Sequence, residues 1–102
     1  MPDYEKTGCI LLWGFNPAVS WLSQAESVAR ALKRGAKLIV VDPRKAGFAS
    51  RADQWLRVRP ATDGPLAMAL AHQLIVNGWY DERFLRDWSN GPLLVRDDTE
   101  PA

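Results

Sequence analysis

Three short polar stretches each follow an apolar run. Gly14-Phe15-Asn16-Pro17 comes after Cys9–Trp13, Asp42-Pro43-Arg44-Lys45 after Lys37–Val41, and Arg59-Pro60-Ala61-Thr62-Asp63 after 54–58. Together their side chains suit the noncovalent capture of a nucleotide. Gly14 keeps a side chain out of the path of a phosphate. The Asn16 amide and the Ser20 hydroxyl can donate to phosphate oxygens, and a helix beginning near Asn16 would add free N–H groups. Asp42 can accept from two neighbouring ribose hydroxyls. Asp63 can accept from the N1–H and the amino group of guanine, a pair that adenine lacks, so a buried contact there would discriminate between bases. Arg44 and Lys45 add positive charge. Each residue also has an ordinary use: Asn16-Pro17 as a helix cap and first-turn proline, Asp42-Pro43 as a turn starter, Thr62-Asp63 as a helix start. The nucleotide reading gains its force only if the three stretches meet.

The surrounding elements decide that. Cys9–Trp13 is an unbroken apolar run between Gly8 and Gly14, which predicts a strand buried on both faces. Trp21, Leu22, Ala25, Val28, Ala29 and Leu32 recur at helical spacing and predict a helix of about 14 residues, opened at Asn16 or Ser20 and ended by Gly35. Lys37–Val41 is a second strand, stopped by Asp42-Pro43. Strand, helix, strand is a right-handed unit with parallel strands. A short helical turn within 45–53 and a third strand over 54–58 follow. Pro65–Val76 is apolar nearly all round, which predicts a helix buried on more than one side. Asn77-Gly78 stops it, and Asp81 caps a last helix through Trp88. The fold class is therefore α/β: a Rossmann-like, three-layer domain with a short parallel sheet of about three strands flanked by helices. If the third strand is also parallel, all three polar stretches lie on one edge of the sheet.

The totals narrow the field. The chain has 102 residues and is 47% hydrophobic, enough for one domain over 1–102, ordered from about 9 to 91 with flexible ends at 1–8 and 92–102. A net charge of +1 gives no reason to invoke nucleic acid or a membrane surface. A single cysteine excludes an internal disulfide, a four-cysteine zinc site and an iron–sulfur cluster held within the chain, and Cys9 is expected to be a buried thiol. With no leader or spanning segment visible, the compartment leans cytoplasmic. His72 and Met68, inside the apolar helix, read as a core or interface histidine and core filler. Five tryptophans are many for this length, and the expectation divides between core packing and cover for a neighbouring domain. No Ser-His-Asp set, metal-ligand spacing or Walker loop is present.

LLWGFNPAVS, RGAKLIVVDPRKAGFASRADQWLRVRPATD and LAMALAHQLIVNGWYDERFL, in that order, closely resemble a segment of the molybdopterin oxidoreductases, the superfamily of dimethyl sulfoxide reductase, formate dehydrogenase and nitrate reductase. The resemblance covers residues 9 to about 91. It implies a domain that binds the guanosine diphosphate part of one molybdopterin guanine dinucleotide, two of which hold molybdenum or tungsten in the parent enzyme (Mo-bis-MGD when the metal is molybdenum). Carried over by motif, Trp13, Gly14, Asn16, Pro17 and Ser20 would line the diphosphate, Asp42 and Arg44 would lie at the ribose, and Thr62 and Asp63 would meet the guanine. The family pattern has glycine where Ala61 stands. The cluster cysteines, the protein ligand to the metal and the second dinucleotide domain have no counterpart here, and Cys9 does not match the metal ligand. The resemblance thus implies an excised domain, inactive alone, whose partners are the remaining domains of the parent enzyme. Two alternatives remain at this point: an NAD-type Rossmann dehydrogenase domain, and a fragment that only self-associates through exposed apolar surface.

Overall fold

A computed structural model describes residues 2–91 and 93. The chain divides into two compact units, Met1–Asp63 and Gly64–Ala102, at a point where the sequence carries no linker. The tail expected to be flexible, 92–102, lies outside the described residues except for Leu93.

The first unit contains β1 (Cys9–Trp13), α1 (Pro17–Ser20), α2 (Leu22–Lys33), β2 (Lys37–Val41), a 3-10 turn (Gly47–Arg51) and β3 (Gln54–Leu56). The three strands form one parallel sheet in the order β1-β2-β3, with Trp13 opposite Val41 and Val41 opposite Leu56. The class is α/β, as the strand–helix–strand pattern requires. Ile10 and Leu12 of β1, Leu38 and Val40 of β2, Val28 and Ala31 of α2, and Phe48 and Ala49 of the 3-10 turn make the core. The apolar stripe of the crossover helix thus covers one face of the sheet.

That one-sided cover corrects the reading of β1. Its burial alternates: Ile10 and Leu12 are buried, Cys9 and Leu11 exposed. β1 is an edge strand whose covered side within this unit is a single face, so period two returns. The Cys9 thiol is exposed for the same reason. Of the two helix starts the sequence offers, Asn16 opens the separate four-residue α1 and the long helix begins just after Ser20, at Leu22. At Trp21 the backbone is extended, with φ −156° and ψ 83°. The Trp21 N–H closes α1 on the Pro17 carbonyl, while the Trp21 carbonyl accepts from Gln24 and Ala25 and starts α2. No glycine or proline marks the break. β3 stops at Leu56, two residues before the expected end.

Residues 2–8, read from the sequence as loose, touch the unit at several points. The Tyr4 hydroxyl donates to Gln24 Oε1 at 3.0 Å, and the Arg34 guanidinium donates to the carbonyls of Tyr4 at 2.9 Å and Glu5 at 2.6 Å. At the same end of the sheet Asp53 completes the ladder. One carboxylate oxygen accepts from the Leu38 N–H at 2.8 Å and the other from Lys37 Nζ at 2.9 Å. The Leu38 N–H and then the Lys37 ammonium hold the Asp53 carboxyl below its ordinary value, and the Asp53 hydrogen bond and charge raise the lysine. A depressed carboxyl stabilises the fold above its unfolded pKa and loses that contribution as pH falls through the folded value. The raised lysine contributes below its unfolded pKa and loses its share only at high pH, so the pair is intact across neutrality. Asp53→Asn keeps an acceptor for Leu38 but loses the charge. Its melting temperature is expected to fall less steeply than that of the parent chain as pH is lowered from neutrality to about 2, measured by circular dichroism.

α3 (Asp63–Val76) starts on the last residue of the first unit and runs into the second, where α4 (Glu82–Trp88) follows. Asp81 caps α4 by accepting from the Phe84 N–H at 2.8 Å. No residue of α3 is buried, against the expectation of an enclosed helix. His72 is exposed, as is Met68 at 72%. One neighbouring helix cannot enclose so apolar a helix, and a unit this small has little interior to offer. A groove of about 640 Å³ within this unit is lined by Ala71, Leu74, Ile75, Tyr80 and Leu85, and holds none of the candidate site residues. Among the described residues no helix is long and apolar enough to cross a membrane.

Candidate functional site

With β3 parallel, the loops after all three strands leave from one edge of the sheet. One hydrogen bond ties the first of them to the third. The Trp13 indole Nε1–H donates to Asp63 Oδ1 at 2.6 Å, joining the end of β1 to the start of α3 across 50 residues of sequence.

The first loop turns at Gly14, whose φ of 57° lies in the left-handed region and whose N–H donates to the Val41 carbonyl at 2.9 Å. Only glycine adopts that angle without a steric penalty. Asn16 occupies the N-cap position of α1, yet its side chain makes no capping bond. Its carbonyl accepts from the N–H groups of Val19 and Ser20 and from the Ser20 hydroxyl at 3.1 Å. The Asn16 amide lies instead against Gly47, where a β-carbon would stand 2.7 Å from both its oxygen and its nitrogen. Asn16 Oδ1 is buried without a hydrogen-bond partner. An orphaned buried acceptor costs roughly 1–3 kcal/mol, so the loop holds a polar atom ready for a donor that the chain does not supply. Pro17 is buried and locks the entry to α1, which has only four residues and so a weaker dipole than the long helix expected.

The second loop is fastened to itself. Asp42 Oδ1 accepts from the Arg44 N–H at 2.7 Å, and the Asp42 carbonyl accepts from Trp55 Nε1–H at 2.8 Å. Lys45 Nζ sits 5.4 Å from the centre of the Trp55 ring. Asp42 therefore has one oxygen engaged in its own turn and Oδ2 left for an outside donor. In the third loop the Thr62 hydroxyl and N–H both donate to the Arg59 carbonyl, at 2.6 and 3.1 Å, so the hydroxyl is taken up by the turn. Among the described residues Arg44, Lys45, Arg57 and Arg59 form no ion pair. These four cations outnumber the two carboxylates of the same loops, Asp42 and Asp63, a balance that suits an anion. No group of three or more potential metal ligands exists among the described residues.

Ala61 is the one described non-glycine residue with positive φ, at 66°. The left-handed region costs a residue with a β-carbon about 1–2 kcal/mol, part of which glycine returns as unfolded-state entropy. Ala61→Gly is expected to raise the unfolding free energy by roughly 1 kcal/mol, as a higher urea midpoint with an unchanged slope.

The structure thus joins Trp13 to Asp63, turns Ser20 and Thr62 inward on their own loops, and sets Asn16 against Gly47. Sequence reasoning missed Gly47 and the Trp55 staple. Gly47 follows the Asp42 loop in an unremarked Lys-Ala-Gly-Phe stretch, and its importance lies in a through-space contact with no sequence signature.

The sequence profile of the family described as molybdopterin oxidoreductase matches residues 1–100. Perchlorate reductase subunit alpha of Dechloromonas aromatica is 33% identical over 98 residues, covering 96% of this chain and 11% of that protein. The nitrate reductase alpha chain of Bacillus subtilis is 34% identical over 99 residues, covering 91% of this chain and 8% of that one. Among solved structures, acetylene hydratase from Pelobacter acetylenicus superposes with a TM-score of 0.75 at 37% identity, over 84% of this chain and 12% of its own. The chain therefore spans about a tenth of the length of these relatives. A match that takes in nearly the whole sequence, on a fold superposing with a relative of that identity, places the chain in the molybdopterin oxidoreductase family.

Proposed function

We propose that the unit Met1–Asp63 binds the guanosine diphosphate portion of molybdopterin guanine dinucleotide and anchors that cofactor in a larger oxidoreductase. The observation that carries the reading is the single loop edge on which the Trp13–Asp63 hydrogen bond closes the first loop on the third. Family membership supplies the molybdopterin. The guanine comes from the chemistry of this edge.

The residues fit such a group. Gly14 leaves its backbone open to a diphosphate, and the Asn16 side chain, which makes no capping bond, has its NH₂ to donate beside it. The amide nitrogen faces the diphosphate, with Trp13 and Pro17 fixing the course of the loop and Ser20 bracing the turn through its hydroxyl bond to the Asn16 carbonyl. Asp42 offers Oδ2 to the ribose, and Arg44 adds charge. Asp63, opening α3 behind the Thr62 turn, accepts from guanine. When bound, the cofactor carries the redox chemistry in its metal and pterin. The task of this chain is to hold and orient it. The edge is Rossmann-like in placing the ligand beyond the carboxyl ends of parallel strands.

Titration of the chain with GDP, GMP, ADP and NAD by calorimetry tests this. GDP binding tighter than ADP, and GMP weaker than GDP for want of the second phosphate, supports the reading. Preference for NAD supports a dehydrogenase domain instead. Binding to none of them by a folded, concentration-dependent dimer would leave only self-association, for which exposed Leu11 and Leu56 on the sheet provide apolar surface.

A further inference from the structure

We propose that Trp13 is the positioning residue of the guanine subsite: its indole N–H holds the Asp63 carboxylate in the orientation that reads the base. This rests on the guanine reading above and assigns Trp13 a task distinct from lining the diphosphate.

The geometry is specific. Trp13 is the last residue of β1, directly opposite Val41 of the central strand. The next residue, Gly14, is pinned by its N–H to the Val41 carbonyl at 2.9 Å, so the tryptophan backbone is held against the central strand. The side chain is half-buried. Its indole has one donor and no acceptor, so it can orient a carboxylate but cannot itself accept from the N–H groups of guanine. The N–H to Oδ1 distance is 2.6 Å, within hydrogen-bond reach. Asp63 itself is exposed at the first turn of a helix, where an aspartate side chain otherwise swings between solvent and the free N–H groups of that turn. Anchored through Oδ1, it keeps Oδ2 and a second Oδ1 lone pair for the paired N–H groups of guanine. A reader held in place before binding loses less freedom when the ligand arrives.

Trp13→Phe keeps a six-membered aromatic ring and removes the N–H together with the five-membered half of the indole. ADP, whose base lacks the N1–H beside an amino group, serves as the internal control. The expected result is that GDP affinity falls about 5- to 10-fold while ADP affinity stays unchanged and the melting temperature falls slightly for the lost half of the indole. On an Asp63→Ala background the same substitution is expected to change nothing further. In the intact chain the Trp13 indole N–H resonance is expected to move when Asp63 is replaced by alanine, a readout that needs no ligand. An equal loss for GDP and ADP, unchanged GDP affinity, or tighter GDP binding each overturns the proposal. The last would mean that the indole competes with the base. A parent chain that binds GDP and ADP equally defeats the guanine reading itself, whereas a parent chain that prefers GDP with an unaltered ratio in Trp13→Phe defeats only the role of Trp13.

Discussion

Asp63→Asn is expected to move the base preference of the chain from guanosine diphosphate to xanthosine diphosphate. Guanine presents two donors on the edge in question, N1–H and the 2-amino group. A carboxylate meets both with its two acceptor oxygens. Xanthine keeps the N1–H but has a carbonyl in place of the amino group, so it presents a donor beside an acceptor. An asparagine amide is complementary to that pattern and opposed to guanine, because its NH₂ would face the guanine NH₂. The existing bond from Trp13 to Oδ1 settles which way the new amide turns. An acceptor must remain under the indole, so the NH₂ takes the place of Oδ2. One mismatched pair in a partly enclosed site is worth roughly 2 kcal/mol, or about 30-fold in affinity. GDP binding is expected to weaken by that factor and xanthosine diphosphate to gain a comparable one, with ADP unmoved. Asp63→Ala, offering nothing to either base, is expected to bring GDP down to the level of ADP. Calorimetric titration of the three nucleotides against the three chains reads the outcome. A guanine preference that survives in Asp63→Ala places the base elsewhere.

The strands behind this edge could be read from the chain because their signals are local. Cys9–Trp13 and Lys37–Val41 are apolar runs closed by glycine or Asp-Pro, and both occupy the expected residues. What covers a strand is not a local property. An apolar run such as Cys-Ile-Leu-Leu-Trp is the same whether one or two layers pack on it, and in this unit one does, which leaves Cys9 and Leu11 exposed. The break at Trp21 was invisible for a related reason. Its residues keep helical spacing on both sides, and only the hydrogen bonds converging on Asn16, Pro17 and Trp21 show where one helix stops and the next starts. The apolar helix α3 presents the same difficulty in reverse. Its composition calls for cover on several sides, yet none of its residues is buried. Composition alone does not say how much cover the surrounding unit supplies, and this unit is small. The Asn16–Gly47 contact lay furthest from reach, because it depends on the φ angle of a glycine that no motif singles out.

That contact carries the other large effect. Gly47→Ala is expected to weaken GDP binding about tenfold or more while destabilising the fold by only about 1–2 kcal/mol. The stability cost comes from the backbone, since Gly47 has a φ of 56° and a β-carbon is strained there. The affinity cost comes from the neighbour. A β-carbon would stand 2.7 Å from Asn16 Oδ1 and Nδ2, closer than such atoms approach. The obstacle is the far end of one side chain rather than backbone, so the fold can yield by expelling the amide from its seat. The amide then no longer faces the diphosphate. Asn16→Ala separates the two costs. It removes an oxygen buried without a partner, so the ligand-free chain is expected to be as stable as the parent or slightly more so. Its GDP affinity is nevertheless expected to fall as far as that of Gly47→Ala. If both substitutions act through the same amide, combining them adds nothing to the loss, whereas independent effects would multiply. A double variant that binds GDP much more weakly than either single one would show that Gly47 serves the backbone alone. A Gly47→Ala chain of undiminished affinity would show that the amide does not reach the phosphates from this seat.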